Sequence, residues 1–296
     1  MPLKRIRNSK VYSIPVVRIG LLFVLSWFLF VFIKQFFFDL YKVGGDEMRP
    51  FLKENDIVLI DKFNANYKIG DVCLYKIPDN DTLNFDGMAI QRVIAGPGDS
   101  LEIIDKIVHR NGKALEEKNV KYNYFLDLDS GKIDSNLLIR LRITEGGIVS
   151  KSNKYSLTLS KFQLDSLKQK YIFKNITSRF EKPGLKDPSV FPYADKYAWN
   201  KDQFGKIYIP KKGDVLQIDT SNIYLYFHLI HENEKNTIKV DEDKILINGV
   251  AAKQYEVKHN YYFFMCDNRD NGMDCRNWGY IPDYQIEGRT VRVINE

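Results

Sequence analysis

A residue placed to do chemistry in this sequence is the carboxylate of Glu47. It lies in the stretch GGDEMRPFL, where two glycines and Pro50 predict a tight, exposed turn. A carboxylate in such a turn can activate water as a general base or offer its charge to a partner.

The histidines and cysteines are weaker candidates. The four histidines are scattered along the chain, which favours surface or packing roles: His109, His228, His231 and His259. Two of them are three positions apart on a predicted helix, but without a third ligand nearby they predict no metal site, and the sequence predicts no cofactor. The three cysteines, Cys73, Cys266 and Cys275, are too few for a disulfide framework.

Positive charge is concentrated at the start of the chain. Residues 1–38 contain no Asp or Glu and hold six basic residues, Lys4, Arg5, Arg7, Lys10, Arg18 and Lys34. These six account for the whole formal net charge of +6, so the remainder of the 296-residue chain is neutral. A nucleic-acid-binding domain would carry its basic residues on the folded part, and the sequence therefore predicts no nucleic-acid partner.

An apolar run follows the basic start. Ile19–Ile33 reads IGLLFVLSWFLFVFI and contains no ionisable side chain, and a helix of about 20 such residues crosses the hydrocarbon core of a bilayer. The sequence predicts a transmembrane signal-anchor helix over residues 16–38 after a basic cytoplasmic tail over residues 1–15, with membrane lipid as a partner. The next stretch, FFFDLYKV, lacks the small residues of a signal-peptide cleavage site, which favours a retained anchor.

The remainder of the chain reads as mainly β. Strand-like runs such as DIVLIDKF and DVCLYKIP alternate with turn signals, and Asn111-Gly112 and Asn248-Gly249 predict tight hairpins. Two helices are predicted, one capped by Ser160 with Gln163 in a capping box, the other starting at Ser221. Phe162, Leu164 and Leu167 are available for one apolar face of the first helix. We assign residues 39–117 and 200–296 to one β domain and residues 118–199 to a small α+β insertion.

The order of four motifs resembles bacterial type I signal peptidase. The motifs are GGDEMRPFL, IGDVCLYKIP, QRVIAGPGD and MCDNRDNGMDCRNWG, and the matching residues include Met48, Pro50, Arg92, Asp267, Arg269, Asp274 and Arg276. We expect Asp274 to pair with Arg276, and Asp267 with Arg269. The resemblance implies a coiled β-sheet domain outside the cytoplasm, anchored in the bacterial inner membrane by an N-terminal helix. It also implies an extended leader peptide as ligand, bound as an added strand.

The departures from the family pattern fall at the reacting groups. Glu47 takes the position of the family's nucleophilic serine, and Gln91 takes the position of its general-base lysine. A serine that helps to hold that lysine is matched by Gly272, and Gly45 takes a position that supplies an oxyanion donor in some relatives. No member of the catalytic unit is intact, and groups that act as a unit fail as a unit.

We therefore expect an inactive, membrane-anchored relative that binds a peptide, a signal-peptide segment or a membrane-complex partner in the periplasm. The alternative is an active peptidase, cleaving leader peptides or working at acid pH with Glu47 and Gln91. Cys266 and Cys275 replace a Gly and a Ser of the last motif. One hypothesis is a disulfide that staples this loop, and the other is two buried small residues.

Overall fold

The computed structural model describes residues 13–78, 87–117, 120–149, 153–241 and 244–294, and these are mainly β, as the sequence predicts. The helices are α1 (Ser13–Phe36), α2 (Ser135–Arg140), α3 (Lys161–Lys170), α4 (Ile223–His228) and α5 (Cys275–Trp278). The strands are β1 (Phe38–Lys42), β2 (Ile57–Asp61), β3 (Val72–Lys76), β4 (Met88–Ala95), β5 (Ser100–Ile104), β6 (Ile107–Arg110), β7 (Lys113–Ala114), β8 (Lys121–Leu128), β9 (Gly146–Ile148), β10 (Lys154–Ser160), β11 (Phe173–Ser178), β12 (Phe204–Tyr208), β13 (Val215–Gln217), β14 (Ile238–Asp241), β15 (Lys244–Ile247), β16 (Val250–Ala251), β17 (Gln254–Glu256), β18 (Tyr261–Met265), β19 (Ile281–Pro282) and β20 (Ile286–Ile294).

The largest sheet contains seven antiparallel strands in the order β1-β2-β20-β3-β4-β18-β19. Register shifts interrupt the β2–β20, β20–β3 and β18–β4 pairings. Irregularities of this kind bend strands and increase twist, which accounts for a coiled rather than a flat sheet.

Both faces of this sheet are covered, as the central strand β3 shows. Cys73 and Tyr75 join the main hydrophobic core, while Val72 and Leu74 join a smaller cluster that includes Met48. Side chains alternate between the two faces of a strand, so a strand with both faces covered buries consecutive residues. The turn that carries Met48 is therefore packed onto one face of the sheet by its own apolar side chain.

Helix α1 covers most of the apolar run near the start of the chain. The described residues include no helix that is both long and apolar enough to cross a membrane. The transmembrane helix over residues 16–38 is not confirmed and stays a prediction. Most of the predicted cytoplasmic tail, residues 1–12, lies outside the described part of the chain.

Both Asn-Gly pairs form the predicted tight turns. Asn111 and Gly112 connect β6 to β7 with φ angles of 53° and 73°. Asn248 and Gly249 connect β15 to β16 with φ angles of 52° and 80°. Positive φ at both central residues matches the twist of a two-residue hairpin, and asparagine and glycine adopt it at least cost.

Helix α3 begins as its sequence predicts. The Ser160 side chain accepts a hydrogen bond from the Gln163 backbone, and the Gln163 side chain accepts one from the Ser160 backbone. Leu164 and Leu167 are buried, whereas Phe162, which the sequence offered for the same face, remains 71% exposed. The buried face of this short helix is therefore narrower than predicted.

The other predicted helix starts later than expected. Ser221 does not cap it, because its hydroxyl donates to Asp219 at 2.5 Å. Helix α4 begins at Ile223 with Asn222 as its N-cap residue, and it continues into a π-helical turn over Leu229–Asn233.

The insertion has a sheet and a core of its own. Its strands lie in the order β11-β8-β10-β9, and its core comprises Leu126, Leu128, Ile133, Ile143, Tyr155, Leu157, Leu159, Leu164 and Leu167. Val190 and Phe191, which the sequence placed in the insertion, pack in the main core instead. The chain thus rejoins the main domain before residue 199.

Candidate functional site

Glu47 lies in the turn between β1 and β2, and its side chain is exposed. The next residue, Met48, is buried and anchors the turn on the sheet, and Pro50 stays at the surface. The backbone oxygen of Glu47 accepts a hydrogen bond of 2.8 Å from the Asn268 backbone. These contacts fix the backbone at position 47 and leave its side chain exposed.

The Glu47 carboxylate folds back over Gly45. A Cβ added at Gly45 would lie 2.9 Å from the Glu47 carboxyl carbon. Gly45 is the position that the resemblance links to oxyanion stabilisation, and it has no side chain to donate. A negative charge beside that position opposes the negative charge that develops on a carbonyl oxygen under attack.

Gln91 lies on β4 and is 3% exposed. Its amide oxygen accepts a hydrogen bond of 2.6 Å from the Tyr75 hydroxyl. Its amide nitrogen donates to the Met273 backbone oxygen at 2.7 Å and to the Cys266 sulfur at 3.2 Å. Both ends of the amide are therefore bonded to buried protein groups.

Tyr75 stays a hydrogen-bond donor because burial raises its pKa well above the ordinary value. Its hydroxyl holds the Gln91 oxygen as an acceptor, and an amide nitrogen is not basic near neutral pH. The residue at the lysine position thus contributes to packing and offers no proton acceptor to a reacting group.

The side chain of Cys266 fills the space beside Gly272. A side chain at position 272 would compete with it for the same volume. A Cβ added at Gly272 would lie 2.9 Å from the Cys266 Cβ and closer still to its sulfur. In the family motif that this sequence resembles, position 266 is a small residue and position 272 is a serine. In this chain the larger side chain is at position 266, and position 272 has none. The Cys266 sulfur now contacts Gln91, where the family serine would help to hold a lysine.

The hypothesised disulfide is absent from the structure, because Cys73, Cys266 and Cys275 are all free and buried. The Cys266 thiol donates to the Met273 backbone oxygen at 3.3 Å, and the Cys275 sulfur accepts from the Phe264 backbone at 3.1 Å. Burial raises the pKa of both the Cys266 and Cys275 thiols well above the ordinary value. The alternative of two buried small residues describes them correctly.

Asp274 and Arg276 form the predicted ion pair at the start of α5. Two nitrogens of the Arg276 guanidinium donate to the two Asp274 oxygens at 2.9 and 2.8 Å. Asp274 also caps the helix by accepting from the Arg276 backbone at 3.0 Å. Burial would raise the Asp274 pKa, but the charge and hydrogen bonds of Arg276 hold it below its ordinary value.

Asp267 and Arg269 do not pair with one another, contrary to expectation. Asp267 accepts two hydrogen bonds from Arg92, at 2.8 and 2.6 Å. Arg269 is buried and pairs with Glu117, and it also donates to the Cys266 backbone oxygen at 2.7 Å. Each charge thus ties the loop of residues 267–276, which we call the frame loop, to another segment.

The frame loop also holds the insertion in place. Glu145 accepts hydrogen bonds from Asn268 at 2.7 Å and from Asn271 at 2.9 Å, and it pairs with the buried Lys121 at 3.2 Å. Asp270 accepts from Lys106 at 2.6 Å and from the Asn123 backbone at 2.7 Å. Polar side chains of the last motif therefore join the main domain to the insertion.

A cleft of about 440 Å³ opens beside Glu47. Its described lining comprises Tyr41, Val43, Gly44, Gly45, Glu47, Met48, Ile77, Met88, Ala89, Ile90, Asn271, Met273 and Trp278. These described lining residues include no serine, threonine, cysteine, histidine or lysine. The part of the chain that the structure describes contains no group of three or more His, Cys, Asp or Glu side chains placed to hold a metal ion.

Sequence reasoning missed several residues that shape the site. Tyr75 is one of them, although its place on β3, two positions from Cys73, puts it on the core face. Glu145, Lys121 and Glu117 are others, and they lie far from the motifs in sequence. No local pattern marks them, because their roles depend on which loop they meet.

Comparison of the sequence with known proteins identifies the family of this chain. Residues 16–173 and 166–294 match the family described as signal peptidase, peptidase S26. Signal peptidase I of Buchnera aphidicola subsp. Schizaphis graminum is 24% identical over 284 residues, covering 90% of this chain and 71% of that protein. Signal peptidase I of Aquifex aeolicus is 24% identical over 277 residues, covering 88% and 76%. Signal peptidase I V of Bacillus subtilis is 33% identical over 102 residues, covering 33% and 57%. The chain therefore belongs to the signal peptidase family, peptidase S26.

Proposed function

We propose that this protein is a catalytically silent member of its family that binds extended peptides outside the cytoplasm. The observation that carries the proposal is the state of Gln91, whose amide is bonded at both ends to Tyr75, Met273 and Cys266. A family enzyme needs a proton acceptor at this position. Here an inert group is buried in a complete hydrogen-bond network.

The chemistry of the two substituted positions supports silence. A serine–lysine pair works because a desolvated, neutral lysine takes the hydroxyl proton and leaves an oxygen to attack the carbonyl. The Glu47 carboxylate has no such proton to give, and the Gln91 amide cannot accept one. Among its described lining residues the cleft offers no serine, threonine, cysteine or lysine, and the one hydroxyl is the phenol of Tyr41, whose pKa burial raises.

The acid-peptidase alternative needs an amide that is free to polarise a substrate carbonyl. The Gln91 nitrogen instead donates to Met273 and Cys266, and the side chain is 3% exposed. Glu47, by contrast, is exposed at the cleft. The two side chains therefore do not present a joint surface to a peptide bond, which weighs against this alternative.

The cleft and the adjoining sheet edge support peptide binding. Strand β1 is the last strand on its side of the seven-stranded sheet and leads into the cleft through Val43 and Gly44. An extended peptide can add to such an edge through main-chain hydrogen bonds, with its side chains in adjacent pockets. None of these interactions requires a catalytic serine or lysine.

We place the domain outside the cytoplasm, attached to the membrane through the apolar residues near the start of the chain. The basic residues before the apolar run, followed by exposed side chains such as Leu22, Phe23 and Trp27 on α1, support a signal anchor with its start in the cytoplasm. A membrane protein, such as an active signal peptidase, is the competing partner for the cleft. Pull-down of the detergent-solubilised chain separates that partner from free peptides.

The test is cleavage of a preprotein by the full-length protein in detergent, from acid to neutral pH. We expect no cleavage at any pH. Cleavage that disappears in Glu47→Ala would overturn the proposal. The same assay on the combined variant Glu47→Ser, Gln91→Lys, Gly272→Ser and Cys266→Gly asks whether the cleft still accepts a leader peptide, and we expect cleavage to appear.

The fourth change is dictated by the structure, since Gly272→Ser alone would collide with Cys266. The matched control keeps Cys266 and carries the other three changes, and we expect it to remain inactive. If the fourfold variant folds, shown by an unchanged circular dichroism spectrum, but does not cleave, the cleft has lost its affinity for leader peptides.

A further inference from the structure

The cleft beside Glu47 has an unequal distribution of charge. Most of its wall is apolar, with Val43, Met48, Ile77, Met88, Ile90 and Met273 among the contributors. Among the described lining residues, Glu47 is the one carboxylate and none is basic. A ligand in this cleft therefore meets apolar surface and a single negative charge.

The Glu47 carboxylate acts on its neighbours across the cleft. Its negative charge adds to burial in raising the pKa of Tyr41, on one wall. It also contributes to the raised pKa of Cys266, whose largest cause is burial. The charge thus acts on a lining residue of the cleft and on a buried neighbour of the cleft.

We propose that the cleft selects extended peptides that carry a lysine or arginine side chain between small or apolar residues. This inference rests on the proposed function, because it names the class of peptide that the same cleft takes. The apolar walls favour small and aliphatic side chains through surface burial. The carboxylate at position 47 adds preference for a cation, where a serine hydroxyl would add none.

The expected preference is modest because Glu47 is exposed. Ion pairs at solvent-exposed positions contribute little and are screened by salt. We therefore expect a peptide with a central lysine to bind about threefold more tightly than its neutral counterpart at low ionic strength. The difference should shrink as salt is added.

The experiment uses three N-acetylated, C-amidated fluorescent peptides of alanine and leucine that differ at one central position. That position is lysine, methionine or glutamate, and blocking the ends removes every other charge. Binding to the full-length protein in uncharged detergent is followed by fluorescence anisotropy at low and high salt. We expect the order lysine, methionine, glutamate from tightest to weakest.

Two variants at position 47 decide whether this carboxylate sets the order. Glu47→Gln should abolish the preference for the lysine peptide over the glutamate peptide, and Glu47→Lys should invert that preference. The matched control is Glu54→Gln, since Glu54 is exposed near the same turn but does not line the cleft. It should leave the order and the affinities unchanged.

The outcomes separate the two proposals. Equal binding of all three peptides to the wild-type protein would overturn charge selection and leave peptide binding standing. A preference that persists in Glu47→Gln would also overturn it, because the charge would then come from elsewhere. Failure of every peptide to bind would overturn peptide binding itself, and the charge selection with it.

Discussion

The turn tip at Glu47 and the frame loop lie side by side, yet they differ in what each side chain must satisfy. Glu47 is exposed, and its backbone oxygen accepts a hydrogen bond from the Asn268 backbone. In the frame loop, Asp274 and Arg276 are buried and bonded to each other, and Arg276 also donates to the Arg269 backbone at 2.7 Å. Replacing the exposed side chain at the turn tip costs little stability. Removing either partner of the buried ion pair costs much more.

This difference gives the last motif a structural role that does not depend on catalysis. Asp267 holds Arg92, Asp270 holds Lys106, and Asn268 and Asn271 hold Glu145. Each of these bonds joins segments distant in sequence. The bonds that the motif makes therefore require neither a nucleophile nor a general base.

The largest effect that sharpens this comparison is expected from Asp274→Asn. The change leaves the buried Arg276 without its counter-charge, and breaking a buried ion pair costs about 3–5 kcal/mol. The free energy of unfolding, from denaturant titration, measures it. The matched control is Asp129→Asn, whose ion pair with Lys174 is exposed, and it should cost less than about 1 kcal/mol.

The same ion pair has a pH signature. The Asp274 pKa is lowered in the folded protein from its ordinary value of 3.8. The contribution of Asp274 to the free energy of unfolding is therefore complete above pH 3.8, and it is lost as the pH falls through the lowered pKa. Asp274→Asn should remove this acid-side loss. If Asp274→Asn and Asp129→Asn lowered the free energy of unfolding equally, the contrast between the frame loop and the exposed surface would be wrong.

The next effect is expected from Gly272→Ser. Its added side chain overlaps Cys266, and overpacking of this kind costs about 1–3 kcal/mol. Cys266→Gly in the same chain should recover much of the loss, because it vacates the contested volume. The melting temperatures of both single variants and the double variant measure this coupling.

Gly147→Ser serves as the control, because a Cβ there meets no atom within 4 Å. It should lower the melting temperature less than Gly272→Ser and should gain nothing from Cys266→Gly. If Gly272→Ser and Cys266→Gly changed the melting temperature additively, the two side chains would not compete for the same volume.

A smaller loss is expected from Glu145→Gln. The change keeps the shape but removes the charge that pairs with the buried Lys121, and a hydrogen bond to a charged group contributes about 1.5 kcal/mol at the low end. Hydrogen exchange should then rise first in β8 and the frame loop. Uniform exchange across the protein would contradict the idea that Glu145 specifically joins the insertion to this loop.

The smallest effect is expected at the turn tip itself. Glu47→Ala removes an exposed side chain, and such changes stay within about 0.5 kcal/mol. Thermal unfolding of this variant beside Asp274→Asn gives the comparison directly. A loss at position 47 as large as that at position 274 would show that the carboxylate has a structural role.

The sequence indicated the elements with strong local signals. The Asn-Gly hairpins and the capping box of α3 follow from backbone preferences within a few residues, and the structure has them where predicted. The start of α4 was misplaced because Ser221 bonds to Asp219 instead, a competition between two local hydrogen bonds. The exposure of Phe162 depended on how α3 meets its sheet, which no local pattern records.

By itself, the sequence determined the mainly β character, the family and the absence of a serine and a lysine at the reaction positions, because these depend on residue types and their order. Tertiary structure alone decided that Asp267 pairs with Arg92 rather than Arg269, that Cys266 and Cys275 stay free, and that Cys266 fills the space beside Gly272. The physical reason is that pairing and volume depend on distances between segments far apart in the chain. Those distances exist only once the core has formed.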